Sequence, residues 1–173
     1  MAMPTLPSPV LLLEVTGCKF TRTRASRMPL CCSNMSIPDL LKAFQTTRFI
    51  VLTPQAEIVL RIGERSSELD ELMTRCDPPS CAFVTAWNPG SARLPEMTNQ
   101  AKQSQLIQEV QKRGYVFLRG RGADETVEWA PEPSILVIGI SREGAAELGR
   151  LFGQIAVVFA ERGETVELLF CSL

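Results

Sequence analysis

The stretch from Cys81 to Trp87 constrains the fold most, because Phe83, Val84 and Ala86 leave it almost no polar alternation. Such a run reads as a central strand covered on both sides rather than a half-exposed edge. It stops abruptly at Asn88, Pro89 and Gly90, a turn signal. The fold must therefore be built around a sheet, and the remaining segments can be placed by period and punctuation relative to that strand.

Ser36, Ile37, Pro38 and Asp39 make a helix opening, with a serine cap, an early proline and an acid three residues after the cap; Leu40, Leu41 and Phe44 mark the expected buried face. Phe49 to Leu52 and Ile58 to Ile62 are apolar runs separated by Pro54 and Gln55, which predicts a hairpin. Ser66 to Cys76 predicts a short helix with Leu69, Leu72 and Met73 inward, stopped by Asp77, Pro78 and Pro79. From Thr98 to Arg113 the period is helical, with Leu106, Ile107 and Val110 on one face and Gly114 as terminator.

Tyr115 to Leu118 reads as a strand, Arg119 to Pro133 as an exposed loop or distorted hairpin, and Ile135 to Ile140 as a buried strand. Ser141 and Gly144 open a helix carrying Leu148, Leu151 and Phe152. Ile155 to Phe159 and Val166 to Phe170 pair across Arg162 and Gly163. The order α-ββ-α-β-α-β-β-α-ββ predicts an α+β fold: a mixed, largely antiparallel sheet packed against about four helices, in one domain. That domain spans residues 36–173. Residues 1–35 are rich in Pro, Ser, Thr and Arg, lack sustained periodicity and read as a disordered lead, with Met35 as an alternative start of translation.

Composition narrows the function. The chain has 173 residues and a net charge of −1; its lead holds Lys19, Arg22, Arg24 and Arg27 against Glu14, leaving about −4 for the body. A mildly acidic body without a basic stripe excludes a non-specific nucleic-acid binder. No apolar run approaches the length of a membrane span. Val15, Thr16, Gly17 and Cys18 echo a lipoprotein cleavage box, but no basic residue precedes the apolar stretch, so a cytoplasmic location is expected. The six cysteines form no C-x-x-C pair and the chain has no histidine, so neither a zinc site nor disulfides are expected. No cofactor motif, Walker A loop or dinucleotide fingerprint is present, and a Ser-His-Asp triad is ruled out.

The candidate chemistry lies in four clusters. Pro89 restricts Asn88, so its amide is presented rigidly beside Trp87 at a strand end. Asn99, Lys102 and Gln103 fall on one helix face at i, i+3 and i+4. Trp129, Glu132 and Ser134 precede a buried strand, and Gln154 follows Gly153 at the start of another. Each cluster has a bland reading, as a turn, a cap or a solvated edge.

The residues Phe83 to Pro89, Asn99, Leu106, Trp129, Glu132, Ser134 and Phe152, Gly153, Gln154 and Ala156 resemble a bacterial domain-of-unknown-function family, number thirty-two ninety-three. The resemblance spans roughly residues 37–171, and Ala86-Trp-Asn-Pro89 is its most specific part. The chain departs from the pattern at Lys102, Gln103 and Ile155. The resemblance implies no activity.

Three functions are compatible with these residues. The first is a ligand-binding or regulatory module for a small anionic or nucleotide-like molecule, with amides and Lys102 converging beside two tryptophans. The second is a protein-interaction domain whose polar residues only hold strand ends to a helix. The third is a histidine-free hydrolase or transferase in which Glu132 is the general base and Asn88, Lys102 and Gln154 stabilise negative charge, with Asp124, Glu125, Glu128 and Glu132 the only acids placed for magnesium.

Overall fold

The structure, a computed structural model, describes residues 37–124 and 131–171. The predicted lead, Glu125, Glu128 and Trp129 lie outside the described residues. Helix α1 (Ile37–Thr46) runs directly into the hairpin β1 (Thr47–Leu52) and β2 (Glu57–Leu60). Helix α2 (Ser67–Leu72), strand β3 (Ser80–Val84), a single 3-10 turn at Pro89–Ser91 and helix α3 (Glu96–Lys112) follow. Strands β4 (Val116–Asp124) and β5 (Glu132–Ile138), helix α4 (Arg142–Leu151) and strands β6 (Ala156–Glu161) and β7 (Glu167–Phe170) complete the order.

The strands form one seven-stranded sheet, β2-β1-β4-β5-β3-β6-β7, antiparallel at every described pairing. Its centre, β4-β5-β3-β6, is built by two interlocked crossovers. Helix α3 links β3 to β4 with β5 between them, and α4 links β5 to β6 with β3 between them. That is the split β-α-β arrangement of ferredoxin-like folds. The hairpins add β1 and β2 at one edge and β7 at the other.

Alternation divides the core into two layers. Ala82, Val84, Ile135, Val137, Val157 and Phe159 face Leu106 and Val110 of α3 and Leu148 of α4. Cys81, Phe83, Leu136, Val158 and Ala160 point the other way, toward Leu69 and Met73 of α2 and Phe44 of α1. Strand β3 is buried at every residue because both faces are covered, the origin of its unbroken apolar run. Full burial of a side chain such as Leu106 contributes about 1.5–3 kcal/mol.

Local signals explain most boundaries. Ser66 caps α2 by accepting from Leu69 N–H, and Ser141 caps α4 by accepting from Gly144 N–H. Thr53 N–H donates to Ala56 O at 3.1 Å around Pro54 and Gln55, closing the predicted hairpin. Two expectations about helix faces do not hold, since Leu41 within α1 and Leu151 at the end of α4 are exposed.

Of the two readings open for Arg119 to Pro133, an exposed loop or a distorted hairpin, the structure takes the second, with β4 and β5 paired antiparallel. Strand β4 continues through Asp124, and Gly120, Arg121 and Gly122 pair with Ser134, Pro133 and Glu132. Gly120 is required there: a Cβ would stand 2.5 Å from Ile50 O and 2.6 Å from the Phe83 ring. A residue that looks like a loop former is therefore a strand position beneath an aromatic ring.

Candidate functional site

Beyond Val84 the chain leaves the sheet under the control of polar side chains. Thr85 Oγ1 donates to Pro133 O at 2.8 Å and accepts from Trp87 N–H at 3.0 Å. Ala86 N–H, with no ladder partner left, donates to Gln103 Oε1 on α3 at 2.9 Å. Proline at 89 excludes the right-handed helical region for Asn88, which takes the left-handed region at φ 45° and ψ 57° rather than an extended one. Asparagine tolerates that conformation better than other non-glycine residues.

Asn88 and Asn99 then bind each other reciprocally. Asn88 N–H donates to Asn99 Oδ1 at 2.9 Å, and Asn99 Nδ2 donates to Asn88 Oδ1 at 2.8 Å. Asn88 Oδ1 also accepts from Leu94 N–H at 3.0 Å, while Asn88 Nδ2 donates to Glu132 Oε1 at 2.7 Å. Asn99 is only 2% exposed, so its full set of bonds is what makes its burial affordable. Gln154 Nε2 donates to Trp87 O at 3.1 Å, and Gly90 N–H donates to Gly153 O at 2.9 Å, tying the end of α4 to the same turn.

The structure thus joins Asn88, Asn99, Gln103, Glu132 and Gln154 into one network around the end of β3. Ser134 adjoins it, its Oγ donating to Glu132 O at 3.1 Å. Trp87 enters through both its backbone groups. Lys102 does not join. On the helix it shares the flank of Glu109 and Arg113, from which Arg113 reaches Glu147 of α4 at 3.1 Å, and it makes no ion pair with the described residues. Burial pushes the Glu132 carboxyl above its ordinary range, opposed by the bond from Asn88.

Beside the network, between α3 and strands β4, β1 and β5, lies a groove of about 310 Å³. Arg119, Arg121 and Gln103 supply its polar groups, and Leu52, Ile107, Pro133 and Ile135 supply apolar wall. Gly120 and Ser134 border it through backbone, since the register turns their side-chain positions to the other face of the sheet. Because Ala86 N–H requires an acceptor, Gln103 presents Oε1 to it, so its Nε2 is the end of the amide that remains as a donor in this groove-lining residue. Arg121 pairs with Glu57 at 2.9 Å at the outer rim. Arg119 has no carboxylate partner among the described residues.

Residues 84–157 match the model of a family described as "Protein of unknown function (DUF3293)". The matched span is less than half of the chain, yet it contains every member of the network and both groove arginines. The hairpin β1-β2, helix α2 and strand β7 fall outside it. No curated protein and no solved structure matches the chain.

Other chemistry finds little support. The described residues hold no cluster of three or more His, Cys, Asp or Glu side chains placed to bind a metal. Cys81 and Cys171 are buried in the two core layers, and burial pushes their thiols up to about 12 and about 11, away from the thiolate form. No described helix is long and apolar enough to cross a membrane.

The arginines are the residues that sequence reading missed. Their signal was the alternation Arg119-Gly120-Arg121-Gly122, a two-residue period with cations on one face and the smallest residue on the other.

Proposed function

We propose that the protein is a binding module for a small anionic molecule held in the groove between α3 and β4. The observation that carries this reading is that Arg119, Arg121 and Gln103 line one groove that has no acidic residue among its lining residues. Guanidinium groups beside a neutral amide suit a phosphate or carboxylate, and the apolar wall of Leu52, Ile107 and Ile135 suits a flat ring such as a nucleobase. The groove volume is at the small end for ligand sites, so a mononucleotide or phosphorylated metabolite fits the reading better than a larger molecule.

In this reading Gln103 touches the ligand. Asn88, Asn99, Glu132, Ser134 and Gln154 are positioning residues that fix the strand end on which the groove wall is built, and Trp87 is held there through its backbone. Trp129 and Lys102 stay outside the proposed contact set.

A second reading, a protein-interaction domain with a purely structural network, is favoured by one observation. Every buried side-chain nitrogen and oxygen among the described residues has a partner. Thermal-shift titration with inorganic phosphate, mononucleotides and sugar phosphates separates the two. A ligand at about 100 times its Kd stabilises the fold by about 2.7 kcal/mol and visibly raises Tm. Arg119→Ala is expected to remove that shift, whereas Asn88→Ala lowers Tm with or without ligand. A Tm unmoved by the whole panel would leave the structural reading in place.

A further inference from the structure

Glu57 opens β2 and stands opposite Leu52 of β1, while Arg121 of β4 stands opposite Ile50 of the same β1 strand. Residues directly opposite in an antiparallel pair share a face, and Leu52 and Ile50, two apart, share theirs, so all four lie on one side of the sheet. Leu52 and Arg121 line the groove there. Glu57 reaches it from outside: across β1, Arg121 Nη2 donates to Glu57 Oε1 at 2.9 Å. Both side chains are partly exposed, so the pair adds little to stability, and its effect falls on the groove. Arg119 and Arg121 are the charged residues of the lining, and Glu57 compensates one of them; Leu52, Ile107, Pro133 and Ile135 offer apolar side chains. Both arginines lie within the family-matched span, whereas Glu57 lies outside it, on the β1-β2 hairpin.

Building on the reading of the groove as a binding site, we infer that Glu57 is its specificity-determining residue and fits it to a monoanion, a carboxylate or a doubly esterified phosphate with an apolar body, rather than to the dianion of a phosphate monoester. With Arg121 compensated, one lining cation is left to balance one ligand charge. A second negative charge would meet Glu57, of the same sign, and apolar wall. Anions on opposite sides of one guanidinium stand about 7 Å apart, where in water-like surroundings each ligand charge loses about threefold in affinity to the Glu57 carboxylate. The penalty is therefore about threefold for a monoanion and about tenfold for a dianion.

Calorimetric titration of the full chain, at low fixed ionic strength and slightly alkaline pH, tests this with three probes built on one ring. Phenyl phosphate carries two charges there, its second ionisation lying near about pH 6, while methyl phenyl phosphate and benzoate carry one each. The wild-type protein is expected to bind at least one monoanion as tightly as phenyl phosphate or more tightly, and the tighter of the two shows whether the head group is a phosphodiester or a carboxylate. Glu57→Gln keeps an acceptor for Arg121 and removes the charge. It is expected to tighten the monoanions about threefold and phenyl phosphate about tenfold, a charge-dependent gain that a structural role would not produce. Tighter binding of phenyl phosphate than of both monoanions by the wild-type protein overturns the inference, and so does an equal change for all three probes in Glu57→Gln. Phenyl phosphate binding that Arg119→Ala abolishes, without the charge preference, leaves the groove as the site and removes only the role of Glu57. Absence of binding by all three probes removes both.

Discussion

Asn88 Nδ2 and Glu132 Oε1 lie 2.7 Å apart although 44 residues separate them in the chain. The bond fastens the turn after β3 to the start of β5, and it gives a half-buried carboxyl a neutral donor. Burial raises the folded-state pKa of Glu132, so between the ordinary glutamate range and that raised value the folded chain holds more protons than the unfolded one. The contribution of this group to stability is fully present below that window and declines as pH rises through it.

Glu132→Gln keeps an acceptor for Asn88 and removes the titration. Urea unfolding at a series of mildly acidic to neutral pH values is expected to give a flatter profile for the variant, with equal or higher stability at neutral pH. Glu132→Ala strands the Asn88 amide and is expected to cost about 1–3 kcal/mol. An unchanged pH slope in Glu132→Gln would remove this carboxyl as its source.

Asn88 combines a left-handed backbone with a side chain that makes three hydrogen bonds, and two variants separate these roles. Asn88→Gly accommodates φ 45° without strain but loses the hydrogen bonds to Leu94, Asn99 and Glu132. Asn88→Ala loses the same bonds and adds a strained backbone worth about 1–2 kcal/mol. Chemical denaturation should therefore rank wild type above Gly and Gly above Ala. Equal stabilities for the two variants would show that the turn relaxes to another conformation.

The order of elements was legible because period and punctuation agreed: serine caps before α2 and α4, Pro54-Gln55 in the hairpin, Gly114 after α3. The polar residues at the strand ends were legible as a group, since amides on the inward face of α3 needed partners. Which amide met which partner was not legible, because Asn88–Glu132 and Gln154–Trp87 are tertiary contacts that no local spacing encodes. The groove arginines were hidden for a different reason. Gly120 and Gly122 lower strand propensity, and only the Phe83 ring above Gly120 explains why glycine sits in a strand.

Gly120→Ala puts a methyl group against the Ile50 carbonyl, a backbone atom that cannot rotate away, as well as against Phe83. A loss of about 1–3 kcal/mol or more is expected, seen as a lower urea midpoint with unchanged slope. Gly163→Ala, with nothing but the end of Arg65 near its Cβ, serves as a control for left-handed strain alone.

Arg119→Ala is expected to change stability by less than about 0.5 kcal/mol while abolishing phosphate-dependent stabilisation. Gln103→Glu is more stringent. It retains an acceptor for Ala86 N–H but replaces the remaining donor with an oxygen, and calorimetric titration should show anion affinity reduced at least about tenfold. Retention of full affinity in both variants would place the anion elsewhere.

Strand β3 pairs only with β5 and β6, both of which are encoded later in the chain. During synthesis its apolar residues leave the ribosome without either neighbour, and at about 5–20 residues per second roughly 2–10 s pass before β5 begins to emerge. The segment that anchors the finished protein is for that interval its most adhesive one, a natural substrate for chaperones that hold nascent chains.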